Sequence, residues 1–262
     1  FKVRGRLMVD FGQIEGADRF GDPGLGTTTE IRRGRIGVEG GFGDWAYKLE
    51  ADYSDSEVSV ADATLTWKGP VDVVIGHQHL PNSLEVRTSS LNISFMERAA
   101  FTSAFDLGRD TGVSVYTSGK NYFFQGGVYS SGGFSGDDDA SGYSFGARAA
   151  FNPKVGENQL HFGAWALYRD NGSQPSRYRE RPLLHTTDTR FINTGNIGTD
   201  SDIVFGLEAA GVFGPLYVSS EWSRLNADLD APLGIGLDNN FNATGAYVQA
   251  GYFLTGESRT YK

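Results

Sequence analysis

The first eleven residues alternate. Phe1, Val3, Leu7, Val9 and Phe11 are apolar, and Lys2, Arg4, Arg6, Met8 and Asp10 fall between them. A period of two sends successive side chains to opposite faces, so the segment reads as a strand with one greasy and one charged face. The pattern returns at Trp45, Tyr47, Leu49, Ala51 and Tyr53 against Lys48, Glu50 and Asp52. It returns again at Ala61, Ala63, Leu65 and Trp67 against Asp62, Thr64, Thr66 and Lys68. Roughly 9 to 11 residues is the length at which a tilted strand crosses a hydrocarbon layer. Noisier strands are expected near 29–40, 70–77, 110–118, 121–130, 141–151, 158–168, 202–212, 216–225 and 241–253, about twelve in all.

The connections fall into two classes that alternate along the chain. Gly41 to Asp44, Lys68 to Pro70, Ser118 to Asn121, Asn152 to Asn158 and Gly214 to Pro215 are short turns built from Gly, Pro, Asn or Asp. Long polar excursions lie between them, over 13–28, 78–109, 131–140, 169–201 and 226–240, and Ser54 to Ser56 is the exception. Short turns at one end and long loops at the other are the arrangement of a membrane β-barrel. Trp45, Tyr53, Trp67, Tyr116, Tyr122, Tyr168, Trp222 and Tyr252 fall near expected strand ends, where interfacial aromatic girdles sit. A soluble β-sandwich or β-helix also alternates, but has little reason for strands this long with terminal aromatics.

Composition agrees and excludes several classes. Thirty-six Gly against 8 Pro suit many strands joined by tight turns, and no window holds eighteen apolar residues, so no transmembrane helix is expected. The absence of Cys removes disulfides and thiolate chemistry. A pI near 4.9 argues against nucleic acid as a partner. Phe1 opens directly into a strand pattern, so either a signal segment has been removed or the sequence starts partway in. His77 and His79 lack an accompanying carboxylate or thiol cluster, and no Gly-x-Ser-x-Gly elbow is present. No metal, cofactor or catalytic residue is expected.

One stretch runs against the net charge of −9: residues 169–190 hold five arginines and three acids. Arg177, Arg179 and Arg181 are two apart, so an extended backbone would project all three one way, as a ladder for anions. The alternative is a solvated loop in which they pair with Asp170, Glu180 and Asp188. The chain has 17 Arg and 6 Lys, a bias that suits planar oxyanion recognition. Asp137, Asp138 and Asp139 read as solvated loop charges.

Phe-Lys-Val-Arg-Gly-Arg-Leu-Met-Val-Asp-Phe-Gly (1–12), Arg32-Arg33, Asp44-Trp45-Ala46-Tyr47 and Ser83-Leu84-Glu85-Val86-Arg87-Thr88-Ser89-Ser90 follow one another in order. Met96-Glu97-Arg98, Tyr168-Arg169-Asp170 and Leu254-Thr255-Gly256-Glu257-Ser258-Arg259 continue the series. This ordered set resembles the phosphate-selective porin O/P family and touches most of the chain. The resemblance implies an all-β, transmembrane antiparallel barrel of the bacterial outer membrane, sixteen-stranded and homotrimeric, with no enzymatic activity. It implies a constriction loop over 78–109 that folds inward, an Arg-rich extracellular loop over 169–201, and a diffusion channel for small anions such as phosphate or pyrophosphate. Carried over by position, Arg177, Arg179, Arg181 and Arg190 form the outer ladder, and Arg6, Arg32, Arg33 and Arg98 line the narrower region. The family's central lysine is replaced by Val86, with Arg87 one place on, which weakens the expectation of a tight phosphate site.

The strand pattern independently puts Arg4 and Arg6 on one polar face. Arg32 and Arg33 are adjacent and cannot both face inward from a regular strand, so a bulge or a loop end is expected there. Twelve strands in 262 residues imply a portion of a longer barrel, although twelve is even and a closed twelve-stranded barrel is physically allowed. A plugged barrel used for adhesion or ligand capture, or a barrel hydrolase, stays open on sequence alone.

Overall fold

The computed structural model describes residues 1–15, 26–54, 58–130, 142–172, 174–181, 183–234 and 238–261. In order the elements are β1 (Lys2–Ile14), β2 (Gly26–Phe42), β3 (Trp45–Asp52), β4 (Ser59–Trp67) and β5 (Asp72–His79). Two short helices follow, α1 (Leu84–Arg87) and α2 (Ala100–Ala104), then β6 (Arg109–Ser118), β7 (Tyr122–Ser130), β8 (Tyr143–Phe151) and β9 (Lys154–Val155). The remainder are β10 (Asn158–Asp170), β11 (Arg179–Glu180), β12 (Ile192–Asn193), β13 (Thr199–Phe213), β14 (Leu216–Leu229) and β15 (Asn240–Tyr252). Twelve of the strands pair in one antiparallel path, β1-β2-β3-β4-β5-β6-β7-β8-β10-β13-β14-β15, while β9 pairs β10 and β11 pairs β12 separately. No helix is long and apolar enough to cross a membrane among the described residues. Asp137, Asp138 and Asp139 lie outside those residues.

The polarity of the sheet is inverted relative to a water-soluble protein. Val3, Leu7, Val9 and Phe11 are exposed on its outer face, whereas Arg4, Arg6 and Asp10 are half-buried on the inner one. Glu208, Glu221, Arg148 and Arg169 are buried within. Such an exterior suits hydrocarbon, where the strands between β1 and β15 on this path have their N–H and C=O groups satisfied by neighbours on both sides. The two-residue turns need positive φ, which Gly43 (54°) and Gly214 (59°) supply without a Cβ clash. Trp45 and Trp67 pair across β3 and β4 beside the short turns. Trp222 does not belong to a girdle. It lies mid-strand in β14, opposite Leu207 and Ala246.

The interior has two unlike halves. Leu80, Val86, Phe101, Phe105 and Leu107, from the segment between β5 and β6, form one apolar cluster with Tyr129, Trp165, Leu167, Val204, Leu225 and Ala227 of the wall β7–β14. Approach is close enough that a Cβ on Gly245 would lie 2.3 Å from Phe101 Cβ. Ser83 caps α1 by accepting from Val86 N–H, and Glu221 of β14 holds the same turn, accepting from Leu84 N–H (2.9 Å), Glu85 N–H (2.8 Å) and Ser83 Oγ (3.1 Å). Tyr247 O–H donates to Glu221 as well (3.0 Å). At the other end of the segment Arg169 donates to the carbonyls of Phe105 and Asp106 while paired with Asp202. The wall β1–β6 carries charge instead, and the space in front of it stays open.

Candidate functional site

Two cavities lie between that charged wall and the packed segment. The inner one has a volume of about 450 Å³, and eight cationic side chains line it against three carboxylates, Glu50, Asp62 and Asp106. The outer one, about 580 Å³, is lined by Arg177, Arg179, Arg181 and Arg190 together with Arg32 and Arg109. Ser103, Asp106, Gly108 and Arg109 line both, so the two cavities meet there. A chain of net charge −9 thus concentrates positive charge along its interior.

Cross-strand register divides the inner cations into two kinds. Arg4 is neutralised by Glu39 (2.6 Å), Arg35 by Asp52 (2.7 Å) and Glu50 (3.2 Å), and Asp62 is shared by Lys48 (2.7 Å) and Arg109 (3.3 Å). Arg6, Arg33, Arg87 and Arg98 form no ion pair among the described residues. Arg6 donates to Ser90 Oγ (2.5 Å), Arg33 to Met8 Sδ (3.7 Å) and Arg87 to the His79 carbonyl (3.3 Å). Arg98 donates to the carbonyls of Glu85 (2.8 Å) and Thr88 (2.7 Å), which fixes its guanidinium across the turn. All four line the inner cavity beside Thr88, Ser89 and Ser90. Burial, with the charge of Arg148, pushes Arg87 down to about 10, so it stays protonated at neutral pH.

A bulge places both adjacent arginines inside. Met8 pairs with Arg33 and Val9 with Ile31, which leaves Arg32 as the extra residue of β2. Arg32 reaches Glu97 through Nε (2.5 Å) and Nη2 (3.0 Å), while Arg33 points into the inner cavity. Burial works to raise the Glu97 carboxyl, but the hydrogen bond from Arg32 together with the charges of Arg32 and Arg33 outweighs it and holds the group below its ordinary range.

Arg177, Arg179, Arg181 and Arg190 all line the outer cavity. Arg177 Nε donates to Asn193 Oδ1 (3.1 Å), and Arg179 stands exposed in β11. Arg181 donates to the Thr187 carbonyl (2.6 Å) and pairs with Asp188 (3.0 Å), so one of the ion pairs of the solvated-loop alternative is formed. Arg190 is pushed down by burial and by the charges of Arg181 and Arg179. Val86 is buried in the apolar cluster, and Arg87 rather than Val86 brings a cation to the cavity.

Sequence reasoning missed Arg35, Lys48 and Arg109. Arg35 was legible, because it stands two residues after Arg33. Arg109 carried no such signal, since it is the first residue of its strand.

The family described as phosphate-selective porin O and P matches residues 1–262. The chain belongs to that family. A protein of Caulobacter vibrioides is 36% identical over 278 residues, covering 100% of this chain and 55% of that protein. Porin O of Pseudomonas aeruginosa is 29% identical over 303 residues, covering 100% of this chain and 66% of its own length. The chain thus spans between about half and two thirds of these relatives. Among solved structures, OmpT of Vibrio cholerae, an outer membrane protein, superimposes with a TM-score of 0.56 at 14% identity, over 96% of this chain and 69% of that one. Its outer-membrane expressed form gives the same TM-score over 96% and 70%. This porin-family chain is therefore an outer-membrane β-barrel protein of a bacterium, with lipid against its apolar exterior.

Proposed function

We propose that this porin forms a water-filled, anion-selective diffusion channel for phosphate-type anions, with Arg6, Arg33, Arg87 and Arg98 as its inner binding locus. The observation that carries the reading is the inner cavity, where these four guanidinium groups stand without carboxylate partners among the described residues, beside the hydroxyls of Thr88, Ser89 and Ser90. A guanidinium about 4 Å from an anion contributes on the order of 1 kcal/mol in water and about 4 at an intermediate dielectric. Arg177, Arg179, Arg181 and Arg190 then act as the outer ladder that collects anions, and Arg32 marks the descent. Segment 78–109 is the constriction, and 169–201 the extracellular arginine loop.

The paired cations matter as much as the unpaired ones. Glu39, Glu50, Asp52 and Asp62 cancel part of the wall, so an ion meets several moderate sites in series rather than one deep trap. Arg87 takes the place of the lysine that resembling porins carry at Val86. Like those porins, the channel works as a homotrimer and performs no chemical step.

The test is the reversal potential of the full-length protein in a planar bilayer across a chloride gradient, repeated with phosphate and with Arg33→Gln. Anion selectivity, chloride current blocked by phosphate, and a severalfold smaller anion-to-cation permeability ratio in R33Q are expected. A cation-selective wild type overturns the reading.

A further inference from the structure

The segment between β10 and β13 does not simply run out from the rim and return. Tyr178 stacks on Phe241 of β15 (5.5 Å between centroids, planes 6° apart) and donates to Asp202 of β13 (2.8 Å), which ties the segment to its own side of the barrel. Seven residues further on it reaches β1 and β2, at the far end of the strand order. His185 Nδ1 lies 2.8 Å from Glu30 Oε2 of β2. Leu184 lies directly over Gly12 of β1, where an added Cβ would come within 2.7 Å of Leu184 Cδ2. The outer arginines hang on the chain around and between these two attachments.

We infer that the His185–Glu30 contact, seated by Leu184 on Gly12, is a proton-tightened latch that positions the arginines of this segment over the passage. His185 and Glu30 are then positioning residues for anion capture, an assignment that rests on the arginine-ladder reading above. Neutral His185 offers Glu30 one hydrogen bond. Imidazolium adds a charge pair and makes a bond roughly twice as strong. Histidine is the side chain that ordinarily gains its charge as pH falls from about 8 to about 5. The other charged groups around the contact are Arg32 on β2, Asp10 on β1 beyond Glu30, Glu97 of the inward segment, and Arg181 and Arg190 of the latch segment itself. Both partners are about a quarter exposed, so the effect amounts to a few-fold rather than all-or-none.

The latch is tested with chloride, whose charge does not change with pH. In the full-length protein, the anion-to-cation permeability ratio at pH 5.5 is expected to be about two- to fivefold that at pH 8. In His185→Ala most of that difference is absent. The chain has no cysteine, so a Gly12→Cys, Leu184→Cys double variant gives a single engineered disulfide. Oxidised, it is expected to hold the ratio at its pH 5.5 value at both pH values, and reduction releases it. If H185A keeps the wild-type pH dependence, or the oxidised double variant behaves like wild type at pH 8, the latch is wrong. If no variant is anion-selective at either pH, the failure belongs to the ladder reading instead.

Discussion

Glu221 gives the sharpest test of how the cavity is built, because one carboxylate holds four donors of the inward segment and its surroundings. Oε1 accepts from Ser83 Oγ, Glu85 N–H and Tyr247 O–H, and Oε2 from Leu84 N–H. Glu221→Ala removes every acceptor. Three of those donors belong to the turn, so at about 1 kcal/mol or more for each buried donor left unmatched the anchored turn loses about 3 kcal/mol, or more than about a hundredfold in its occupancy. Glu221→Gln keeps the three bonds to Oε1 and turns an amide N–H toward Leu84 N–H, costing about 1 to 2 kcal/mol.

The loss falls on the segment and not on the barrel. Glu221 has no cationic partner among the described residues, and the strands around it are paired along their whole length. Residues 99–108 stay attached through Phe101, Phe105, Leu107 and the Arg169 contacts. What loosens is 83–98, which carries Arg87 and Arg98. Single-channel recordings are therefore expected to show rising current noise and falling anion selectivity in the order wild type, E221Q, E221A. Trypsin is expected to cut after Arg87 and Arg98 in E221A while the barrel's thermal unfolding stays unchanged. An E221A channel with wild-type noise and tryptic resistance would refute the claim that this carboxylate holds the turn.

Two further outcomes follow from the ion pairs. Glu50→Gln leaves Arg35 its bond to Asp52 but adds one net positive charge to the inner cavity, so phosphate block of chloride current should tighten severalfold, as a titration of block reads directly. Glu97 is held below its ordinary range, so its pairing with Arg32 is complete at neutral pH and is lost only as pH falls through that lowered value. Acidification below the ordinary carboxylate range should then free Arg32 and raise anion selectivity, and Glu97→Gln should show the same increase already at pH 7; a pH-independent E97Q ratio equal to wild type at pH 7 would contradict this.

Strands were legible because alternation is a local property. Phe1 to Phe11 fix their two faces whatever the rest of the chain does, since a pleated backbone cannot put neighbours on one side. The adjacency of Arg32 and Arg33 called for a bulge or a loop end on the same ground, and the register shift at Met8/Val9 is the bulge. The helices α1 and α2 were not legible, as four and five residues are too few to display a 3.6-residue period. Trp222 misled for a related reason: β14 continues to Leu229, and a strand's end is set by where its partner stops.

The sequence by itself determined an inverted β sheet, its two classes of connection and the arginines available to it. Tertiary structure alone decided which of those arginines carry uncompensated charge. Glu39, Glu50, Asp52 and Asp62 choose Arg4, Arg35, Lys48 and Arg109 through cross-strand register, and Glu221 holds Ser83 from 138 residues away. A carboxylate can cancel a guanidinium only where the fold brings them within a few ångströms, and that distance depends on pairing between strands, which no local pattern encodes.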